Sequence, residues 1–500
     1  MLRFSVFCDG EPADSIDLAG AYLVASDGVP LRAEIEFRKG EILCRKRAPG
    51  PAGLALLWTA KGTGRILLET TRLPERVKPY VLQVELARGQ LLRLSQKSED
   101  WAVDEALPLD SLSTKWDKGR DLFIDALKAD KPAHAARVAD DALSLAVEVG
   151  EELARLHARA HMERRCQVSG FSRWVFGGNA AIGTSVDAYR KKLTRAVDFV
   201  AVPFSWRTVE PAEQEFDWTA IDGWVDWLTR HGVPIRGYDL VNFTENSVPD
   251  WVYIWEHDFE TIRDLIYEHV RRVINRYGSY IQAWDVISGI HGNNCMSFNF
   301  EELMELTRMS TAITKQLAPQ SKVTIDLVAP WGEYYAHNQR TIPPLLYADM
   351  VTQAGINFDA FGLQFDFGAA RDEMYLRDMF QISSVMDRFN LGRPLHVTAV
   401  GVPSSVPDGG KTTVANTGEW HGPWSEKLQA RWLAEFYSVA LSKPFVETVT
   451  WRPLSDEEAH PTANCGLLRA DLSPKPAYRE LGKLRSSLSN ERKNGISKSA

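Results

Sequence analysis

From about residue 170 to residue 480 the chain alternates short apolar runs with longer amphipathic stretches, and this alternation limits its fold more than any other feature. DFVAVPF, VPIRGYDLV, YIQAWDVI, KVTIDLV, FDAFGLQF, PLHVTAVGV and VETVTW read as strands. They are apolar along their length rather than at alternate positions, so both faces are expected to be buried. Between them, FETIRDLIYEHVRRVINRYG (259–278) and SEKLQARWLAEFYSVALSK (425–443) carry apolar residues at helical spacing. Strands and helices in sustained alternation predict an α/β fold, a parallel (β/α)8 TIM barrel over residues 167–485.

The first part of the chain has a different texture. In VPLRAEIEFR (29–38), Leu31, Ala33, Ile35 and Phe37 alternate with Arg32, Glu34, Glu36 and Arg38, as in a half-buried strand. Lys39-Gly40 then turns the chain into EILCRKR, a hairpin signature. GRILLETT (64–71) and YVLQVEL (80–86) read as further strands, and Arg88-Gly89 reads as a turn into QLLRLS. Residues 1–118 are therefore expected to form a small, β-sandwich-like accessory domain. Residues 119–166 are expected to be a linking helical segment, on the spacing of Val138, Ala142, Leu145, Val149, Leu153 and Leu156. His157 and His161 lie four apart on it, but Ala158 stands where an HExxH motif needs Glu. They are expected to be solvated rather than metal-bound. The polar stretch 486–500 is expected to be a frayed tail.

Composition excludes several function classes. Lys+Arg 58 against Asp+Glu 66 gives a net charge of −8, which argues against a nucleic-acid groove or an anionic membrane surface. The five cysteines form no CxxC pair, against a disulfide framework or a structural zinc site. No run approaches the ~18 apolar residues that cross a bilayer. MLRFSVFCDGEPADS lacks the basic and apolar regions of a secretory signal, so the expected compartment is the cytoplasm. There is no Gly-rich phosphate loop, no GxSxG elbow and no Cys/His nucleophile pairing, and no cofactor or metal is expected.

A series of motifs, in order along residues 196–480, points to a family. Phe204-Ser205-Trp206 is followed by Glu210-Pro211 and Phe216-Asp217-Trp218. Arg236-Gly237-Tyr238-Asp239-Leu240-Val241 precedes Val248-Pro249-Asp250-Trp251. Trp284-Asp285-Val286, Asp359-Ala360-Phe361-Gly362-Leu363-Gln364, Thr450-Trp451 and Pro474-Lys475-Pro476-Ala477-Tyr478 complete the series. This order resembles the endo-β-1,4-xylanases of glycoside hydrolase family 10, with its MKW, RGHTLVWH, TPxW, WDVVNE, DGIGLQ and PKPAY segments. The first ~165 residues lie outside the resemblance. It implies a barrel acting on an oligosaccharide or polysaccharide.

The departures from the pattern bear on the reaction. The resemblance puts the family's acid/base Glu, in WDVVNE, at Gly289, and the preceding Asn at Ser288. It puts the nucleophile of ITELDV at Ala399. Retaining glycosidases need one carboxyl group in each role. Ala201, Val202, Ser205, Tyr238, Phe243 and Asp366 also replace polar family residues near the sugar. The family reaction is therefore not expected here.

Other carboxylates fall where barrel strands end, the side that carries barrel active sites. These are Asp239, Glu245, Asp326, Glu333, Asp366 and Asp456. Glu333 is the first catalytic candidate, because Trp331, Tyr334 and Tyr335 flank it and could stack on a sugar. Glu245 and Asp366 follow. Trp206, Trp251 and Trp451 coincide with family aromatics, and Gln364 with a family site residue. Trp331, Tyr334 and Asn294 complete the substrate-binding candidates. His291, Asn293, His337, His421 and His460 are further polar loop residues. Three readings stay open: a glycosidase with relocated carboxylates, a non-catalytic glycan-binding protein, and a scaffold whose groove has filled in.

Overall fold

The computed structural model describes all residues except 102–109, 169, 183–186, 339, 369–373, 407–417, 459, 461, 463 and 499–500. Its larger part is a closed barrel of eight parallel strands. In order they are Phe176–Asn179, Phe199–Pro203, Ile235–Tyr238, Ala283–Ser288, Lys322–Leu327, Ala360–Asp366, Leu395–Gly401 and Val446–Trp451. The first pairs with both the second and the eighth, which closes the ring. Seven of these strands are the apolar runs read from the sequence. The first, FGGN, is hidden there because its glycines resemble a loop. A Cβ on Gly177 would lie 2.4 Å from the Phe199 ring, so the close approach of neighbouring strands requires glycine.

Helices between the strands begin where the sequence caps them. Asp258 accepts from the Thr261 amide (3.1 Å) ahead of Phe259–Tyr277. Asn299 and Glu302 form a capping box ahead of Phe300–Leu317. Ser425 caps Glu426–Ser442.

Two four-stranded sheets open the chain. One contains the predicted hairpin, Ala33–Arg38 against Glu41–Lys46, turning at Lys39 and Gly40 with φ of +50° and +78°. Strands end sooner than the sequence suggests. Tyr80–Val81 is a short edge strand, and Leu82 begins a helix, α1 (Leu82–Trp101). The strand readings of YVLQVEL and QLLRLS are thus corrected. Leu82, Val84 and Leu86 alternate along the chain and so pass locally for a strand, yet the first turns of α1 are buried on all sides.

Two more helices follow, α2 (Asp110–Lys128) and α3 (Pro132–Val168). The linker is therefore a packed spine rather than a tether. α3 touches the N-terminal strand Gly53–Ala60 on one side and the barrel helices Met379–Arg388 and Glu426–Ser442 on the other. His157 is not solvated as expected: its ring stacks on Trp101 at 4.3 Å, and burial lowers its pKa to about 3. The end of the chain also differs from a frayed tail, since Pro476–Lys498 is helical.

Candidate functional site

At the C-terminal ends of the barrel strands, polar side chains gather around Arg452, the residue after the eighth strand. Its Nε and Nη2 donate to the Thr398 carbonyl at 2.8 and 2.6 Å. Its guanidinium lies 4.2 Å from the centroid of the Tyr238 ring. Burial opposes its charge, but Tyr238, Asp239, Asp326 and Asp366 hold its pKa above the ordinary value. One cation therefore stands among carboxylates from the third, fifth and sixth strands.

These carboxylates have different surroundings. Asp239 follows the third strand with φ of +58°, a left-handed backbone that Asp tolerates better than most residues. Asn242 Nδ2 donates to it at 3.0 Å, and burial raises its pKa despite Arg452 nearby. Asp326 lies deeper and is fully buried. It accepts from Thr398 Oγ1 and Gln364 Nε2, while burial and then Asp285 push its pKa up to about 7. Asp366 ends the sixth strand and faces His460, whose Nε2 is 3.9 Å from Oδ1. The Thr462 amide donates to His460 Nδ1 (3.1 Å), which assigns the imidazole proton to Nε2. Cys465 Sγ lies 3.3 Å from the same Nδ1. Glu458 joins the first strand to this loop, accepting from Asn179 Nδ2 at 2.8 Å and Tyr189 Oη at 2.7 Å.

Below the mouth the barrel interior is charged. Arg236 forks onto Asp285, and its Nη2 also reaches Thr324 Oγ1 (3.1 Å). Nη1 meets His396 Nδ1 at 2.9 Å, and His396 Nε2 lies 3.2 Å from Glu447. This ladder satisfies polar groups that would be costly to bury alone.

The sequence candidates divide. Asp366 and Gln364 lie at the mouth, half-buried. Glu333 does not. It is 1% exposed, and its Oε1 accepts from Arg377 Nη2 at 2.7 Å. Arg377 also donates to Tyr22 of the N-terminal sheet at 2.9 Å, and lies 4.3 Å from the Trp331 ring centroid. Glu333 therefore belongs to a buried junction with the N-terminal sheets and has no face for a sugar, while Trp331 is half-buried and lies edge-on to Phe365. Glu245 is exposed on the loop after the third strand.

Trp206 is buried, donates to Glu210 (3.0 Å) and stacks on His269. Trp451 is buried and donates to the Cys465 carbonyl (3.0 Å). Neither offers a ring to a ligand. Trp251 is half-buried, edge-on to Trp206, and bonds the Glu210 carbonyl at 3.1 Å. Tyr334 donates to the Ile342 carbonyl (2.8 Å) beside His291, and Asn294 braces Phe298. Both serve loop structure. Arg452 was missed by the sequence reading. Its signal was a charged residue directly after a buried barrel strand.

The family model for glycosyl hydrolase family 10 matches residues 183–483, more than half of the chain. This chain belongs to glycosyl hydrolase family 10. A β-1,4-xylanase of Dictyoglomus thermophilum is 30% identical over 93 residues, 19% of this chain and 25% of that protein. Endo-1,4-β-xylanase 2 of Claviceps purpurea is 31% identical over 117 residues, 22% of this chain and 35% of its own length. The chain thus spans about a quarter to a third of the length of these curated relatives. Among solved structures, GH10 from Paenibacillus barcinonensis matches 63% of this chain and 96% of its own, with 17% identity and a TM-score of 0.48. Xylanase 10B from Thermotoga maritima matches 64% of this chain and 97% of its own, with 16% identity and a TM-score of 0.47. Among the described residues, no helix is long and apolar enough to cross a membrane, and no group of three or more His, Cys, Asp or Glu is placed to hold a metal.

Proposed function

We propose that this family 10 barrel binds a glycan at its C-terminal mouth, on Arg452, Asp239, Gln364 and Asp366, and acts on it with relocated carboxylates. One arrangement carries the reading: a half-buried guanidinium flanked by half-buried carboxylates from the third and sixth strands. Carboxylate, amide and guanidinium groups suit paired hydrogen bonding to sugar hydroxyls. Membership of a glycoside hydrolase family supplies the ligand class.

The resemblance assigns the family's acid/base and nucleophile to Gly289 and Ala399, which cannot donate a proton or attack carbon. The backbone at Gly289 favours glycine over a residue with a side chain. Its φ is +62°, and a Cβ there would lie 2.4 Å from Val328 Cγ1. Of the mouth carboxylates, Asp239 suits a general acid, because burial keeps it protonated to higher pH. Asp366 is the partner carboxylate. A second reading, binding without hydrolysis, draws support from the Gly289 and Ala399 that the resemblance assigns to both catalytic positions.

The test is product release from a panel of xylo- and cello-oligosaccharides, with calorimetric binding on the same panel. Asp239→Asn and Asp366→Asn are run in parallel. Turnover that either change abolishes, with binding retained, is the expected result. Binding without turnover by the unchanged protein selects the second reading. Neither binding nor turnover on any glycan overturns both.

A further inference from the structure

The N-terminal sheets touch the barrel at the loops that surround its mouth. After the fifth strand, Glu333 is held by Arg377, and Arg377 by the Tyr22 hydroxyl. Ala336 packs in one apolar cluster with Tyr22, Val24, Ala55, Leu57, Leu67 and Tyr375. After the sixth strand, the Leu67 amide donates to the Leu376 carbonyl at 2.8 Å, and Gln381 Nε2 returns a bond to the Leu67 carbonyl at 3.1 Å.

After the seventh strand, the chain runs alongside the hairpin of Gly53–Ala60 and Gly64–Glu69. The Glu419 amide donates to the Arg65 carbonyl (2.7 Å), and the His421 amide to the Thr63 carbonyl (2.5 Å). The same segment is tied to α3. Glu151, fully buried, accepts from Trp420 Nε1 at 2.7 Å and meets His421 Nε2 at 2.7 Å.

One face of the sheet that contains Tyr22–Val24, Gly53–Ala60 and Gly64–Glu69 is thus covered by barrel loops. Tyr22, Val24, Ala55, Leu57 and Leu67 are all buried against loop residues. The backbone bonds are directional, so they set where each loop leaves its anchor and not only how firmly the two parts adhere.

We propose that the N-terminal sheets are the positioning element of the glycan site. With α3, they hold segments 331–337, 374–378 and 418–424 through two latches, Tyr22–Arg377–Glu333 from the sheets and Glu151–Trp420–His421 from α3. This rests on the proposed site at the mouth, and it assigns the N-terminal region a role in specificity without contact to the sugar. Tyr22, Arg377, Glu151 and His421 are positioning residues.

The experiment uses the full chain with Tyr22→Phe and Glu151→Gln, each of which removes or weakens one latch while keeping shape. Trp58→Phe is the control: it breaks the Trp58–Asp140 bond (3.0 Å) between the hairpin and α3, which involves no residue of the mouth loops. Affinity for the best-bound oligosaccharide and Tm are measured for all three. The latch variants are expected to bind roughly five-fold more weakly, the worth of about one hydrogen bond, while the control loses Tm alone. Latch variants that lower Tm and leave affinity unchanged overturn the proposal.

Hydrogen exchange gives a readout independent of any ligand. Segments 331–337, 374–378 and 418–424 are expected to exchange faster in the corresponding latch variant than in the control. Equal exchange in latch and control variants overturns the proposal as well. A panel on which nothing binds refutes the glycan reading, and the exchange result then decides the positioning role separately.

Discussion

Asp326 shows how one residue beneath the mouth ties stability to pH. Its folded pKa, about 7, is raised above the ordinary value of 3.8 by burial first and Asp285 second. A carboxyl raised in the folded state adds stability that is fully present below its unfolded pKa. That stability is lost as pH rises through the folded value. Asp326→Asn keeps the neutral form at every pH. Relative to this variant, the unchanged protein is expected to lose on the order of a few kcal/mol between about pH 4 and pH 8. Urea unfolding of both proteins at the two pH values measures it, and a constant difference would count against a raised Asp326. Gly289 offers a second test at this scale. Gly289→Glu restores the side chain that the resemblance expects, into a left-handed backbone and against Val328. It is expected to lower stability by about 1–3 kcal/mol and to create no xylanase activity. A stable variant that hydrolyses xylan would refute the geometric argument.

Among the elements, α1 is the clearest case of a sequence signal pointing the wrong way. Arg88-Gly89 looks like a turn between two strands, yet Gly89 sits inside a helix. It is glycine because the helix crosses the end of strand Gly64–Glu69, where a Cβ would lie 2.4 Å from the Glu69 carbonyl oxygen. An exposed helix glycine replaced by alanine gains about 1 kcal/mol. Here Gly89→Ala is expected to lose about 1–3 kcal/mol, because the backbone oxygen has nowhere to move. Chemical denaturation decides the sign.

The same cause separates what was legible from what was not. Barrel strands such as KVTIDLV and PLHVTAVGV announce themselves because both faces are buried and their composition follows. FGGN and α1 do not, since tertiary contact chose glycine at positions where local pattern reads loop or turn. At the mouth, Asp366 was legible as a strand-end carboxylate, and Gln364 only through the family resemblance. The sequestration of Glu333 was not, because its partners Arg377 and Tyr22 are distant in sequence and no spacing joins them.

For the whole molecule, α3 and the two latches make the N-terminal sheets and the barrel parts of one packed body. A single cooperative thermal transition is expected, with equal calorimetric and van't Hoff enthalpies. Two separated transitions would show the sheets folding on their own. Glu333→Gln bears on the same point. It leaves Arg377 buried without its carboxylate, and a loss of about 3–5 kcal/mol is expected, with the whole transition shifting together. A shift confined to part of the transition would mean that the junction is weaker than its geometry implies.

The backbone pairing of Glu419 and His421 with the N-terminal hairpin also limits how this barrel can be recombined with others. Loops after the fifth, sixth and seventh strands have a second partner outside the barrel, so they cannot be exchanged alone. A chimera that grafts xylanase loops onto those three sectors would leave the hairpin's Thr63 and Arg65 carbonyls without acceptable donors. The same graft on the second to fourth sectors would not disturb the hairpin. Inheritance of the mouth is therefore unequal around the ring: one arc can change alone, and the other only together with the N-terminal sheets and α3.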